Sequence, residues 1–240
     1  MRNILTMMQR ELGAYFLSPI AYVVTAVFVF SCGLVFGLGT FQSGAESSLR
    51  SLFEFWMVLV LVFVLPMLTM RLFSEELRSG TIETLMTAPI SETQIVLGKF
   101  LGALVFYVIL LGTLFIYPIL IYKYGALDPW LLLCNIIGCL FIGALYTSVG
   151  LFFSACTRHQ IIAVLLSFAL LAILTFAAHA LATKVEWSAP RVLLQQLAIR
   201  THFDDFVRGM FDLSHVAFFV TTTAAFLFFT VKKLEMRRWQ

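Results

Sequence analysis

Apolar residues in this chain come in long blocks, and polar residues are confined to the stretches between them. The blocks fall at about residues 20 to 41, 53 to 72, 95 to 122, 130 to 154, 160 to 182 and 215 to 231. Each is near or above the ~20 apolar residues that an α-helix needs to cross a ~30 Å hydrocarbon core. With no water in that core, every backbone N–H and C=O has to be satisfied within its own segment, so such blocks predict helices. The pattern gives an all-α integral membrane protein with six transmembrane helices, residues 1–240 forming a single transmembrane domain. Nothing between the blocks is long enough for a folded soluble domain, and no internal repeat is present.

Three polar stretches carry a helical period of their own. Over residues 1–17, Ile4, Leu5, Met8, Leu12 and Tyr15 recur on one face while Arg2, Gln9 and Arg10 lie off it. This predicts a helix in the membrane interface, although a plain extension of the first span fits the same residues. The first apolar block is too long for the core of a secretory signal and no Ala-x-Ala-like site follows it, so it reads as a retained span. Between spans two and three, residues 73–94, Ile82, Leu85 and Met86 stand at i, i+3 and i+4 after Gly80, with Glu83, Thr84 and Thr87 on other sides. Pro89 ends that short helix, and Ser91 with Gln94 makes a capping box that opens span three. A solvated connector and a helix laid along a partner both suit this stretch. In the loop 183–214, Phe203, Phe206, Val207, Met210 and Phe211 repeat at i, i+3, i+4, i+7 and i+8, opposite Asp204, Asp205 and Arg208. They predict an amphipathic helix at the outer interface or dipping into it, as a passive anchor or as a contact surface.

Composition agrees with the pattern: 61% of residues are hydrophobic, 12% are charged and the mean hydropathy is +0.97, which excludes an ordinary soluble domain. The small net charge of +3 matters only through its distribution. Ten of the 16 Lys and Arg residues fall on the side shared by both termini and by residues 73–94, which places that side in the cytoplasm. Cys32, Cys134 and Cys139 lie within apolar blocks and Cys156 at a block end, so they read as small hydrophobes without disulfide or metal roles. A phosphate cradle needs Gly-x-x-x-x-Gly-Lys-Ser/Thr; the Gly98-Lys99 pair is followed by Phe100 and has Thr93 at the first Gly position. Lys99 therefore reads as a side chain that snorkels to the headgroups. Ionisable groups inside the spans are scarce, His179 near the end of span five being the main exception and reading as an interfacial hydrogen-bonding residue. A carrier powered by its own proton relay would need more of them. Gly33-x-x-x-Gly37 and Gly98-x-x-x-Gly102 are spacings at which helices approach closely, and Pro66 and Pro118 are expected to kink spans two and three.

The ordered set Glu75, Glu76, Gly80, Thr81, Glu83, Pro89, Gly98 and Lys99, in EELRSGTIETLMTAPISETQIVLGK, resembles the loop between spans two and three of type-2 ABC exporter permeases. THFDDFVRGMFDLSHVAFF, residues 201–219, is similar to the pattern before the last span in gliding-motility-type permeases, with His202, Phe206, Gly209, Asp212 and Leu213 at the matching positions. The resemblance covers essentially the whole chain. It implies a permease subunit of an ATP-driven exporter in a bacterial inner membrane, paired with a second copy or a related permease and driven by two copies of a separate ATPase. That ATPase would bind ATP and magnesium, leaving this chain with no cofactor, metal or catalytic site of its own. The cytoplasmic loop would then be the coupling element: Glu75, Glu76, Arg78, Gly80, Thr81, Ile82, Glu83, Leu85, Met86 and Pro89, with Ile82, Leu85 and Met86 as a ridge seated on the ATPase and the acids facing basic residues there. The other expected partners are membrane lipid and an extracytoplasmic accessory protein, with no nucleic acid. The alternatives are a membrane scaffold that uses the same ATPase to push on an extracytoplasmic partner, and a channel or secondary carrier.

Overall fold

The computed structural model describes residues 2–40, 53, 57–83, 90–124, 128–184 and 188–238. Among them it contains six helices long and apolar enough to cross a membrane: Pro19–Leu38, Val58–Ser79, Glu92–Leu120, Pro129–Cys156, Gln160–Ala182 and Leu213–Arg237. No strand occurs among the described residues. Ahead of span one lies α1, Arg2–Phe16, and span one is α2, Pro19–Thr40. Span two is built from α3, Val58–Thr69, and α4, Arg71–Ser79, which meet at Met70. Span three is α5, Glu92–Gly112, continued through a tight turn at Thr113–Phe115 into α6, Ile116–Tyr124. Span four is α7, Pro129–Cys156. Span five is α8, Gln160–Ala172, a widened turn at Ile173–Ala177 and α9, Ala178–Lys184. Two short helices, α10, Ser188–Leu197, and α11, Ile199–Val207, precede span six, which is α12, Leu213–Arg238.

Local chemistry fixes several of these boundaries. The Ser91 hydroxyl caps α5 by accepting from the Gln94 N–H at 3.4 Å. The Gln94 side chain, expected to complete the box, instead faces Asn3 on α1, whose amide donates to it at 3.5 Å. Asp128 caps span four through the Trp130 N–H at 2.9 Å, with Pro129 in the first turn where its missing N–H costs nothing. Pro118 deprives the Leu114 carbonyl of its usual helical donor, and the helix tightens at Thr113–Phe115 directly before it. Pro66 stays inside α3, and the Met70 N–H still closes on its carbonyl at 2.9 Å.

Span four is the pillar on which the other elements lean. Its glycines sit where side chains of its neighbours enter: Phe203 and Phe206 of α11 at Gly138, the Tyr107 ring of span three at Gly143, and Thr69 of span two at Gly150. Some polar groups of the same helix find partners on its neighbours, while Asn135 Oδ1 and Thr147 Oγ1 are buried with no hydrogen-bond partner among the described residues. The Tyr107 hydroxyl donates to the Cys139 carbonyl at 2.8 Å, and the Tyr146 and Thr175 hydroxyls lie 2.8 Å apart between spans four and five. In hydrocarbon such bonds matter because the groups have no water to fall back on. Large apolar side chains left exposed, such as Phe30, Ile119, Ile161 and Leu213, face outward from the bundle.

The described cysteines are all unpaired with one another. Of the small-residue spacings, Gly98 and Gly102 let α1 close onto α5: a Cβ at Gly98 would lie 2.6 Å from the Met7 Cβ, and one at Gly102 2.8 Å from the Glu11 Cβ. Gly33 meets the Tyr117 hydroxyl of span three, while nothing lies near Gly37.

Because a methyl at Gly143 would fall inside the Tyr107 ring, Gly143→Ala is expected to cost at least ~1–3 kcal/mol of stability through overpacking. Gly37→Ala, with open space around it, should be neutral or slightly stabilising, since alanine is the better helix former. Thermal unfolding of the two purified variants in detergent reads the difference, and equal melting temperatures would show that span four is not the tight pillar described.

Candidate functional site

The face of α1 that packs on the bundle is Ile4, Met7, Met8, Glu11, Leu12 and Tyr15, with Met7 6% and Tyr15 1% exposed. It is rotated from the face expected from apolar residues alone, which included Leu5; Leu5 is exposed and Glu11 is buried. The reason is on α5. Lys99, expected to snorkel outward, is 1% exposed and its ammonium lies 2.8 Å from Glu11 Oε1 on α1 and 2.8 Å from Glu76 Oε1 on α4. Arg10 adds a second cation 3.0 Å from the same Glu76 oxygen and 3.8 Å from Glu11. The Phe73 ring, 5.1 Å from the Lys99 nitrogen, covers the remaining side. Two carboxylates and two cations thus make a neutral, mostly buried cluster that ties α1, the end of span two and the start of span three. Glu76 Oε2 is buried with no hydrogen-bond partner among the described residues.

A second set of bonds joins α1 to span two one layer deeper, on both sides of Met70. The Tyr15 hydroxyl donates to the Leu68 carbonyl at 2.9 Å, and the Arg71 guanidinium donates to the Ala14 carbonyl at 3.1 Å while lying 4.6 Å over the Tyr15 ring. Burial holds the Tyr15 phenol protonated, well above the usual tyrosine range, so it stays a donor.

Span two is interrupted where these clamps grip it. At Met70 the helical hydrogen-bond ladder opens and the Ser154 hydroxyl from span four enters it. That oxygen accepts from the Phe73 and Ser74 N–H groups at 3.0 and 3.1 Å and donates to the Met70 carbonyl at 2.7 Å. The Ser74 hydroxyl also donates to the Met70 carbonyl. A side chain inserted into the ladder is a recognised cause of a helix joint. Ser154 therefore completes the backbone bonding of α4 while leaving it a separate segment from α3.

Beyond this joint come the residues singled out between spans two and three. Glu75 and Arg78 are exposed on α4, and Glu76 is the acid held inside by Lys99. Gly80 ends α4 in the left-handed region, φ 76°, which favours glycine, and the Glu83 N–H bonds back to its carbonyl at 3.3 Å. Thr81 and Glu83 are exposed, whereas Ile82, expected to project as part of a ridge, is 8% exposed and packs into the chain's own core. Leu85, Met86 and Pro89 lie outside the described residues.

At the opposite end of the bundle, α11 is shorter than its sequence pattern. Phe203, Phe206 and Val207 are fully buried against span four, but the helix stops at Val207, and Gly209 at φ 77° turns the chain away. Met210 and Phe211 are therefore off the helix and half exposed. The sequence reading also missed α10, whose one signal is Pro190 in its first turn. Three side chains fasten α11 to the start of span six: His202 Nδ1 lies 2.7 Å from His215 Nδ1, and His215 Nε2 lies 2.7 Å from Asp205 Oδ2. His202 Nε2 is 3.0 Å from the Gln196 carbonyl, which can only accept, so this nitrogen carries the His202 proton. Its Nδ1 is then the acceptor for His215, whose two nitrogens both face acceptors, so the chain of bonds is complete when His202 is neutral and His215 carries both ring protons. Burial pushes the His202 imidazole below the usual histidine range, as does the neighbouring His215, with the Gln196 carbonyl and Asp205 opposing. His179 makes a 3.3 Å contact with the Thr201 hydroxyl, in keeping with a hydrogen-bonding role. No group of three or more His, Cys, Asp or Glu residues suited to a metal ion occurs among the described residues.

Residues 44–231 match the family model described as ABC-2 family transporter protein. No match was found among curated proteins.

Lys99→Met should cost ~3–5 kcal/mol, since it leaves the mostly buried Glu11 and Glu76 carboxylates with the exposed Arg10 as their one remaining cation among the described residues. The triple change Glu11→Gln, Glu76→Gln, Lys99→Met should recover most of that loss, and thermal unfolding of the variants decides. If Lys99→Met alone melts like the wild type, the ammonium is not the tie described.

The outer fastening is expected to weaken with acid. His202 is depressed in the folded protein, so its contribution is fully present above the ordinary histidine value of ~6.5 and is lost as pH falls through the lower folded value. Trp130, whose indole N–H donates to the Gly209 carbonyl at 3.1 Å, sits beside the fastening. Its fluorescence should change on acidification below about pH 6.5 in the wild type and stay flat in His202→Phe.

Proposed function

The chain belongs to the ABC-2 family of transporter proteins and is a multi-pass permease subunit of an ABC transporter, and from that premise we propose that it is the membrane half of an exporter driven by a separate ATPase. In this reading the end of the bundle that carries both termini faces the cytoplasm of a bacterial cell, in keeping with the excess of Lys and Arg there. The ATPase, two copies per assembly of two permeases, binds ATP and magnesium and meets the segment that follows Gly80. Thr81, Glu83, Leu85 and Met86 are the residues assigned to that contact, with Glu75 and Arg78 beside it on α4.

The observation that carries the reading is the Lys99 cluster. A force applied after Gly80 reaches α4 first. Because Lys99 binds Glu76 on α4 and Glu11 on α1 through one ammonium, α4 cannot shift without α1 and the start of span three. The Ser154 joint supports the same reading, since it lets α4 pivot against α3 without stranding an N–H. Movement of the nucleotide-binding partner is thereby converted into a common tilt of three elements, from which alternating access of a path between spans would follow. An exporter of this kind needs no proton relay inside the membrane, in line with the few ionisable residues in the spans.

The test is a purified complex of this chain with the ATPase encoded beside it, reconstituted in nanodiscs. Glu83→Ala and Leu85→Asp should leave nucleotide binding intact while removing most of the stimulation of ATP hydrolysis by the permease. A chain that recruits no ATPase, or variants that hydrolyse and transport like the wild type, would overturn the assignment.

A further inference from the structure

An open cleft of about 650 Å³ lies at the end of the bundle that carries both termini, between the end of α4, the turn joining spans four and five, and the end of span six. Arg78, Arg158, Lys233 and Arg237 line it from three separate parts of the chain, with Glu83 the carboxylate among its lining residues. None of the four cations has an ion pair within 4 Å among the described residues. Glu76 is paired with Lys99 and Glu235 with Lys232 at 2.7 Å, while Glu75 is exposed on α4 and does not line the cleft. A cleft with four converging cations and one acid is short of negative charge.

Depth says where that charge comes from. Lys233 lies 20 residues along α12 from Leu213, a rise of roughly 30 Å, which is the thickness of the hydrocarbon core. Lys233 therefore stands at headgroup level, with Arg237 one turn beyond. On the membrane side of these cations both walls continue as exposed apolar surface. Phe229, one turn deeper than Lys233 on the same face, is 51% exposed, and Ile161 and Leu165 of span five are 75% and 58% exposed. A docked acidic protein segment would meet the cations but leave that apolar continuation unused. A molecule with a phosphate head and acyl tails meets both.

We infer that this cleft is a binding site for the phosphate headgroup of an anionic phospholipid of the same leaflet, its acyl chains lying along spans five and six. Arg78 holds the phosphate from the end of α4, Arg158 from the turn joining spans four and five, and Lys233 and Arg237 from span six. Basic pockets between membrane helices bind anionic headgroups through this combination of charge and depth. The bound lipid neutralises cations beside the residues that follow Gly80, so its occupancy sets the local charge that any protein docking there encounters.

Native mass spectrometry of the full chain in detergent, titrated with phosphatidylglycerol or phosphatidylcholine, tests the site. The wild type should retain phosphatidylglycerol in preference. Retention should fall roughly fivefold for each cation removed in Arg158→Gln, Lys233→Gln and Arg237→Gln, singly and together. Lys184→Gln, which removes an exposed cation at the opposite end of the bundle, should behave as the wild type, and melting temperatures of the variants identify any loss due to misfolding. Equal retention of the two lipids would overturn the inference, as would displacement of phosphatidylglycerol by millimolar inorganic phosphate, which would make this a free-anion site. Variants that keep the lipid preference but lose capture of the ATPase would overturn it too, assigning the cations to the protein partner.

Discussion

One ammonium group organises the end of this protein where its termini lie. An unpaired Lys at the depth of Lys99 would carry a desolvation cost of several kcal/mol, and the fold avoids it by bringing carboxylates from two other helices to 2.8 Å. That demand is geometric. Glu11 reaches Lys99 only if α1 lies in van der Waals contact with α5, which is why the residues on either side of the lysine turn are Gly98 and Gly102. Glu76 reaches it only if α4 runs on from span two past the bundle core. The position of α1, the direction of α4 and the start of span three are three solutions to one electrostatic problem.

Span four solves the complementary problem of the interior, where hydroxyls and carbonyls must find each other without water. Its small residues admit large neighbours, and its Cys139 carbonyl and Tyr146 hydroxyl close bonds to Tyr107 and Thr175 of those neighbours. Ser154 extends this to a backbone defect. By accepting from two N–H groups and donating to the Met70 carbonyl it keeps a discontinuous helix fully bonded, so that the interruption in span two is tolerated at a depth where an open ladder would not be.

The six spans were legible because a membrane imposes length and apolarity on each segment separately, and neither depends on what the segment touches. The cap at Ser91 and the helical period through Phe203, Phe206 and Val207 were legible for the same reason, being local in sequence. What escaped depends on partners far along the chain. Lys99 looked like a snorkelling residue since its own surroundings are apolar; its acids are 88 and 23 residues away. Ile82 had the spacing of an exposed ridge, and only the packing of α4 under the bundle turns it inward. Met210 and Phe211 kept the helical period past the point where Gly209 breaks it. Ser154, one serine in an apolar helix, carries no sequence signal for the bond it inserts 80 residues upstream.

These two devices differ in what they allow to move. Lys99 is held by Glu11 and Glu76 together, so separating α1 from α4 breaks a buried ion pair and is strongly resisted. At the Ser154 joint every broken bond has a replacement close by. The Ser74 N–H can return to the Met70 carbonyl four residues back, and the Ser74 hydroxyl already lies on that carbonyl. A tilt of α4 against α3 therefore costs little in hydrogen bonding, while a tilt of α4 against α1 costs a great deal. The motion that keeps Lys99 paired is one in which α1, α4 and the start of α5 swing together about Met70, and its cost in hydrogen bonding is the Tyr15 bond to the Leu68 carbonyl, which ties α1 to α3.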